Sequence, residues 1–191
     1  MIVINPIHQR RLPMPAPTIS PATINDIPAL QALVNGAYRG ERSRKGWTTE
    51  ADLLGGIRTD VDNLRTMLLH PSAVILKYET DGLLLGCVYL EHKKSELYLG
   101  MLSVSPETQA QGIGKKLLAA AEQRAIELSC AAITMVVIPL RTELVAWYQR
   151  RGYAATGEIR PFPNDPRFGL PTQALSLMVM TKAMAPSATK S

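Results

Sequence analysis

The sequence predicts an α/β fold: one domain over residues 18–184, with a mixed, mostly antiparallel sheet and helices on both faces. Three observations carry this. The chain has 191 residues, enough for one compact domain and too few for two. Runs with the two-residue period of strands alternate with runs at helical spacing. Three strand-like runs joined by tight turns then lead into a strand–helix–strand unit, which sets an antiparallel meander beside a parallel crossover.

Taken in order, residues 1–17 read as a loose tail. They hold Arg10 and Arg11, no acid, and Pro6, Pro13, Pro15 and Pro17, and proline denies the stretch a helix. The arginines without acids also suggest a transit peptide, but the prolines spoil the amphipathic helix one requires. Residues 18–20 form a candidate first strand. Thr23 and Asp26 are spaced as a capping box, and Ile27, Leu30, Leu33, Val34 and Ala37 follow at helical spacing. Thr49 and Asp52 repeat that signature ahead of Leu53, Leu54 and Ile57, and 60–70 reads as another short helix. A strand at 73–79, a turn at Asp81-Gly82 and a strand at 83–91 make a hairpin. A polar turn at 92–95 precedes the strand 96–104. Leu117, Leu118, Ala121, Ala125 and Leu128 mark a helix over 114–128. The β-branched run 132–138 predicts a strand buried on both faces. Thr142 is placed to cap a helix ending at Arg151, with Gly152 as its left-handed stop. Strands at 153–158 and 175–181 flank a loop, 159–173, that holds four prolines. Residues 185–191 read as a second loose tail.

Composition narrows the function. With 46% apolar and 19% charged residues the chain is ordinary globular protein. Its formal charge of +5 suits an anionic small ligand and is too diffuse for a nucleic-acid stripe. Aromatics at 5% argue against a base-stacking platform. No run approaches the roughly 20 apolar residues of a membrane span. Cys87 and Cys130 are far apart and lack metal-ligand spacing, so neither a disulfide scaffold, a zinc site nor any other metal is expected, and a cytoplasmic setting is.

The most informative stretch is Leu102-Ser103-Val104-Ser105-Pro106-Glu107-Thr108-Gln109-Ala110-Gln111-Gly112-Ile113-Gly114-Lys115-Lys116. A strand ends at Val104, and two glycines open a helix. Glycine lets backbone approach a ligand closely. A helix start presents unpaired N–H groups and partial positive charge, which together accept phosphate. Lys115 and Lys116 add full charges. The pattern is neither a Walker loop nor a Rossmann fingerprint, because Leu117 stands where the latter needs a third glycine. The plain alternative is a glycine-rich connector with no ligand.

Gln-x-x-Gly-x-Gly between strand and helix resembles the central motif of the GNAT superfamily of acetyl-CoA-dependent N-acetyltransferases, with Gln109, Gly112 and Gly114 matching position by position. Trp147-Tyr148-Gln149-Arg150-Arg151-Gly152-Tyr153 resembles that family's later aromatic-Tyr-x-x-x-Gly-aromatic motif. The likeness spans about 18–182, with departures at 37–54 and 160–171. It implies a V-shaped splay between the fourth strand (96–104) and the fifth (132–138). Leu102, Ser103 and Val104 would pair with the pantetheine arm, and an N–H near Leu102 would face the thioester oxygen. Gln109, Ala110, Gln111, Gly112, Ile113, Gly114 and Lys115 would hold the pyrophosphate. Tyr148 would donate to the leaving sulfur, although core packing is its ordinary role. The chemistry implied is direct attack of a primary amine, of a small molecule or a protein, on acetyl-CoA. A non-catalytic acyl-CoA sensor with the same fold is the alternative.

This sequence departs from the family in three ways. Tyr98 and Val136 stand where relatives carry a glutamate base. Glu96, on the same strand face as Tyr98 by the two-residue period, offers a relay through water, with Glu91 and His92 in reserve. Arg141 stands where relatives often have asparagine, and could reach a coenzyme phosphate or simply sit at the surface. On the acceptor side, which the resemblance puts at 38–49 and 159–171, Glu41, Arg42, Arg44 and Trp47 are candidate contacts, with Phe162 on the proline-rich flap. The arginines there favour an anionic group and Glu41 an ammonium; a solvated loop would look the same. Monomer and homodimer both remain open.

Overall fold

The computed structural model describes residues 16–184. The expected tails 1–17, but for residues 16 and 17, and 185–191 lie outside the described residues, and the transit-peptide question lies there too. The chain runs β1 (Thr18–Pro21), α1 (Ile27–Tyr38), α2 (Gly40–Ser43), β2 (Leu54–Gly55), α3 (Val61–Leu69), β3 (Ala73–Thr80), β4 (Leu83–Lys93), β5 (Glu96–Val104), α4 (Ile113–Glu127), β6 (Ala132–Val137), α5 (Thr142–Gln149), β7 (Ala154–Pro161), β8 (Leu170–Pro171) and β9 (Ser176–Ala183). Seven strands form one sheet in the order β1-β3-β4-β5-β6-β9-β7. Among the described residues only β5 and β6 pair in parallel. This is the mixed, mostly antiparallel sheet the sequence predicts.

The alternation of β5 feeds two cores. Leu97 and Leu99 join Leu117, Leu118 and Ala121 of α4 on one face. Met101, past a bulge, joins Leu30, Leu33 and Val34 of α1, with Tyr98 packed beside them, on the other. In the β4–β5 ladder Cys87 faces Ser103 and Tyr89 faces Gly100, so two residues of β5 oppose Val88 alone. That is a β-bulge, with Met101 at φ 52. On the far side β5 pairs with β6 at only three positions, Glu96–Tyr98 against Ala132–Thr134. Beyond them the two strands part and leave a fork. At the sheet margin β7 is exposed throughout, and its ladder with β9 breaks between Ala155 and Ile159.

Several local expectations are corrected. No helix starts at Thr49. Its hydroxyl takes the Ala51 N–H (3.0 Å) in a local turn, and Gly56, at φ 80, ends any helical run. The extra helix comes earlier, as α2, and Leu54–Gly55 instead pairs with Leu170–Pro171. The loop 159–173 is shorter than predicted, because β7 continues to Pro161 and β8 interrupts the rest. The turn after β4 is Lys94-Ser95, since Lys93 still pairs with Glu96. β6 is buried on alternate residues because only its α4 face is covered. The residue before α5 is Arg141, which makes no side-chain cap; Thr142 is already helical.

Candidate functional site

A cavity of about 540 Å³ opens where β5 leaves β6. One wall is the strand end Leu102, Ser103 and Val104, and a second is the turn into α4, with Gln109, Ala110, Gly112, Ile113, Gly114 and Lys115. α5 supplies Leu144, Trp147 and Tyr148, and Arg151 follows it. A segment after α1 supplies Lys45, Trp47 and Thr48. Among the described residues four cations line this space, Lys45, Lys115, Arg141 and Arg151, and no carboxylate does.

The turn into α4 has the features that could hold an anion. Ala110 (φ 70) and Gly112 (φ 78) are both left-handed, a conformation that turns successive N–H groups to one side. From Ala110 to Lys115 no backbone N–H finds an acceptor among the described residues. The first intrahelical bond is Lys116 N–H to the Gly112 carbonyl, at 3.0 Å. A Cβ on Gly112 would touch nothing within 4 Å, so that position faces open space.

Tyr148 lines the same cavity, held edge-on by Trp147 (5.0 Å between centroids) and Tyr153 (5.7 Å). Burial pushes its phenol well above the usual range, so it is a protonated donor at neutral pH. Its hydroxyl bonds to no other described residue. Tyr38 sits nearby, its hydroxyl donating to the Leu102 carbonyl (3.1 Å) just past the bulge. Arg151 lies 3.6 Å over the Trp147 ring and donates to the Trp147 carbonyl (2.7 Å). Its Nε is buried without a partner, and desolvation depresses its pKa.

The segment 39–50 straps across the cavity and is fastened at both ends. On the α4 side, the Trp47 N–H donates to Gln109 Oε1 (2.9 Å). Gly46 packs so close that a Cβ would meet the Gln109 amide at 2.7 Å, while Gln109 Nε2 reaches the Val104 carbonyl (3.3 Å). Arg42 holds Glu107 through two bonds (2.9 and 3.0 Å). On the α5 side, Thr48 donates to Glu143 (2.5 Å) and accepts from Arg141 (3.0 Å). The buried Glu50 carboxylate receives Arg141 (2.7 Å) on one oxygen and Arg39 on the other.

Glu107 carries a pH consequence. Arg42, then Ser105, lowers its pKa to about 2 from the ordinary 4.5. A depressed carboxylate adds stability that is fully present above 4.5 and lost as pH falls toward 2. The melting-temperature advantage of wild type over Glu107→Gln is expected to shrink across that window. A constant difference between pH 5 and pH 2 would show that the pair adds nothing at this exposed position.

The structure brings the coenzyme candidates of the sequence together in this one cavity, except Gln111, which does not line it. Tyr148 and Trp47 line it too. Glu41, Arg42, Arg44 and Phe162 do not. Arg42 is paired with Glu107, and Arg44 with Asp52 (2.7 Å) and Glu41 (3.1 Å), so these charges are already matched. Glu96 and Tyr98 line a second, smaller cavity of about 250 Å³ on the α1 side of the sheet, with Thr134, Thr156, Glu158 and Arg160. A Cβ on Gly100 would meet the Tyr98 ring at 3.0 Å and its hydroxyl at 3.4 Å. The phenol therefore leans over Gly100, into the fork. Sequence reasoning missed Tyr38, Thr48, Trp147 and Arg151 as lining residues, and Glu50 as the centre of the buried cluster. The Trp147–Arg151 helical spacing was a readable signal; Glu50 gave none.

Among the described residues no cluster of three or more His, Cys, Asp or Glu side chains could hold a metal ion, and no helix is long and apolar enough to cross a membrane. Cys87 and Cys130 are buried and free.

Comparison with known proteins gives the family and the fold. Residues 56–162 match the model of the acetyltransferase (GNAT) domain. An amino-acid acetyltransferase of Ralstonia nicotianae (strain ATCC BAA-1114 / GMI1000) is 30% identical over 126 residues, 65% of this chain and 27% of that protein. The chain thus spans about a quarter of that relative's length. The ribosomal-protein-S18-alanine N-acetyltransferase of Escherichia coli superposes with a TM-score of 0.68 at 15% identity, covering 92% of this chain and 99% of that one. The PaiA N-acetyltransferase of Thermoplasma acidophilum, solved with coenzyme A, gives 0.68 at 19% identity, covering 88% and 99%. At these identities the two structures are alike in fold.

Proposed function

The chain belongs to the GNAT acetyltransferase family, and from that premise we propose that it moves the acetyl group of acetyl-CoA to a primary amine of a small molecule or protein. One observation carries the reading: the turn with its unpaired N–H groups and the open fork border one cavity, which Tyr148 also lines. The residues fit the coenzyme. The free N–H groups of 110–115, with Lys115 and Arg151, would take the phosphates. The parted edge of β5 offers backbone groups to the pantetheine amides, as an added strand would. Bound there, the coenzyme supplies an acyl group already activated as a thioester.

The remaining work falls to side chains. The attacking amine must first lose a proton, because a lysine-type amine has a pKa near ~10.4. No carboxylate lines the main cavity, so that proton leaves through water past Tyr98, whose hydroxyl overhangs the fork, to Glu96 behind it. As the C–N bond forms and the C–S bond breaks, Tyr148 gives its proton to the departing sulfur. It recovers one from the amine through solvent, which leaves amide and free thiol. Tyr148→Phe is therefore expected to lower kcat about 100-fold with little change in KM for acetyl-CoA, read as thiol release over an amine panel. An unchanged kcat would remove Tyr148 as the acid. If wild type binds the coenzyme yet releases no thiol with any amine, the chain is a binding module; the carboxylate-free cavity is that reading's support.

A further inference from the structure

Trp47 lines the main cavity, and the chemistry above gives it no task. Its side chain is 46% exposed, yet its backbone is fixed. The N–H donates to Gln109 Oε1 at 2.9 Å, and Gly46 before it packs so tightly that a Cβ would meet the same amide at 2.7 Å. Gln109 opens the turn into α4, so this bond sets the indole beside the unpaired N–H groups of 110–115. Toward α5 the ring lies 6.5 Å from Trp147, between centroids, at 33°. Trp147 in turn borders the helix start, where a Cβ on Gly114 would meet it at 3.6 Å, and carries the Arg151 guanidinium 3.6 Å over its ring. The chain has two tryptophans, far apart in sequence, and folding brings both to the wall of one cavity beside one turn.

The charges around Trp47 select what it can meet. Lys45, Lys115 and Arg151 line the same space, and among the described residues no carboxylate there balances them. The arginines of the strap are matched, Arg39 by Glu50, Arg42 by Glu107 and Arg44 by Asp52, but Lys45 makes no ion pair with any described residue. A cationic wall repels an ammonium group, so this part of the cavity does not suit the amine acceptor for which the sequence offers Trp47. It suits an uncharged flat ring joined to phosphates, which the indole can stack on while the cations hold the charge. Coenzyme A carries such a group, because its adenosine is attached to the pyrophosphate on the side away from the pantetheine arm. With the pyrophosphate on the N–H groups of 110–115 and the arm in the fork, the adenosine leaves the turn on the other side, and Trp47 is one hydrogen bond from the start of that turn. Resting on the proposed coenzyme seat, we infer that Trp47 is a stacking platform for the adenine of acetyl-CoA. The strap then reads the nucleotide end of the coenzyme, through a residue in the stretch where this sequence departs from its family.

The test is binding, read without turnover. Acetyl-CoA is titrated by calorimetry into wild type, Trp47→Ala and Trp47→Phe, all of which keep the backbone N–H that bonds Gln109. Affinity is expected to fall about 10- to 100-fold in Trp47→Ala and by less in Trp47→Phe, whose ring still stacks. In Trp147→Phe the indole of Trp47 is the one left in the chain. Adenosine 3′,5′-bisphosphate, the nucleotide end without the arm, is expected to quench its emission. An acetyl-CoA affinity unchanged in Trp47→Ala overturns the inference and leaves the coenzyme seat standing. A loss in Trp47→Ala without quenching by the bisphosphate also overturns it, because the indole then covers the arm or only braces the strap. Should acetyl-CoA fail to bind wild type, the coenzyme reading falls, and the bisphosphate decides the platform by itself: quenching of Trp47 supports it, and its absence sinks it.

Discussion

Replacing Gly112 by valine is expected to abolish acetyl-CoA binding in calorimetry, whereas Gly114→Ala retains it within a few-fold. The two glycines of the turn do different work. Gly112 sits at φ 78, where a β-branched residue is strained by about 1–3 kcal/mol. Its Cβ would also enter the open side of the turn, where the phosphates are proposed to lie. Gly114 has an ordinary helical φ, and a Cβ there would meet Trp147 and Val104 at 3.6 Å, normal contact distance. A Gly112→Val protein that binds the coenzyme normally would mean the turn is not its seat.

Removing the buried carboxylate in Glu50→Ala is expected to cost about 3–5 kcal/mol in urea unfolding, because it leaves the Arg39 and Arg141 guanidiniums buried without their counter-charge. Both arginines and Glu50 are less than 10% exposed. The strap also loses one of its ties to the start of α5, the Glu50–Arg141 pair, and keeps those through Thr48, so affinity for acetyl-CoA is expected to fall with stability. A loss under about 1 kcal/mol with unchanged affinity would show that the cluster tolerates relaxation or entering water.

The order of strands and the position of the turn were legible because each rests on local chemistry. Asp81-Gly82 adopts the two left-handed residues (φ 53 and 73) of a tight hairpin, and Leu117 to Ala125 keep a strict helical stripe. What failed to show was set by partners distant in the chain. Glu50 lies 91 residues from Arg141, so a surface-like Thr-Thr-Glu hides a buried ion cluster. The Thr49/Asp52 pair imitates a helix start, yet Leu54 is buried in a two-strand pairing with Pro171, and no local pattern announces that. The arginines of 39–44 read as free charge only because Glu107 and Asp52, which match two of them, are placed by folding. Met101 carries the bulge in a left-handed conformation that nothing in its side chain foretells.

β7 bears on how the molecule behaves in a crowd. A strand at the rim of a sheet invites another chain to lie alongside it, and extended, unbroken, apolar rims seed fibres. This rim is spoiled along its length: its register slips between Ala155 and Ile159, Gly157 twists to φ 89, Glu158 and Arg160 put charge on it, and Pro161 withholds an amide donor. Ile159, exposed to 57%, is left without an apolar neighbour in sequence, so the rim offers no continuous template and self-association by edge pairing is disfavoured.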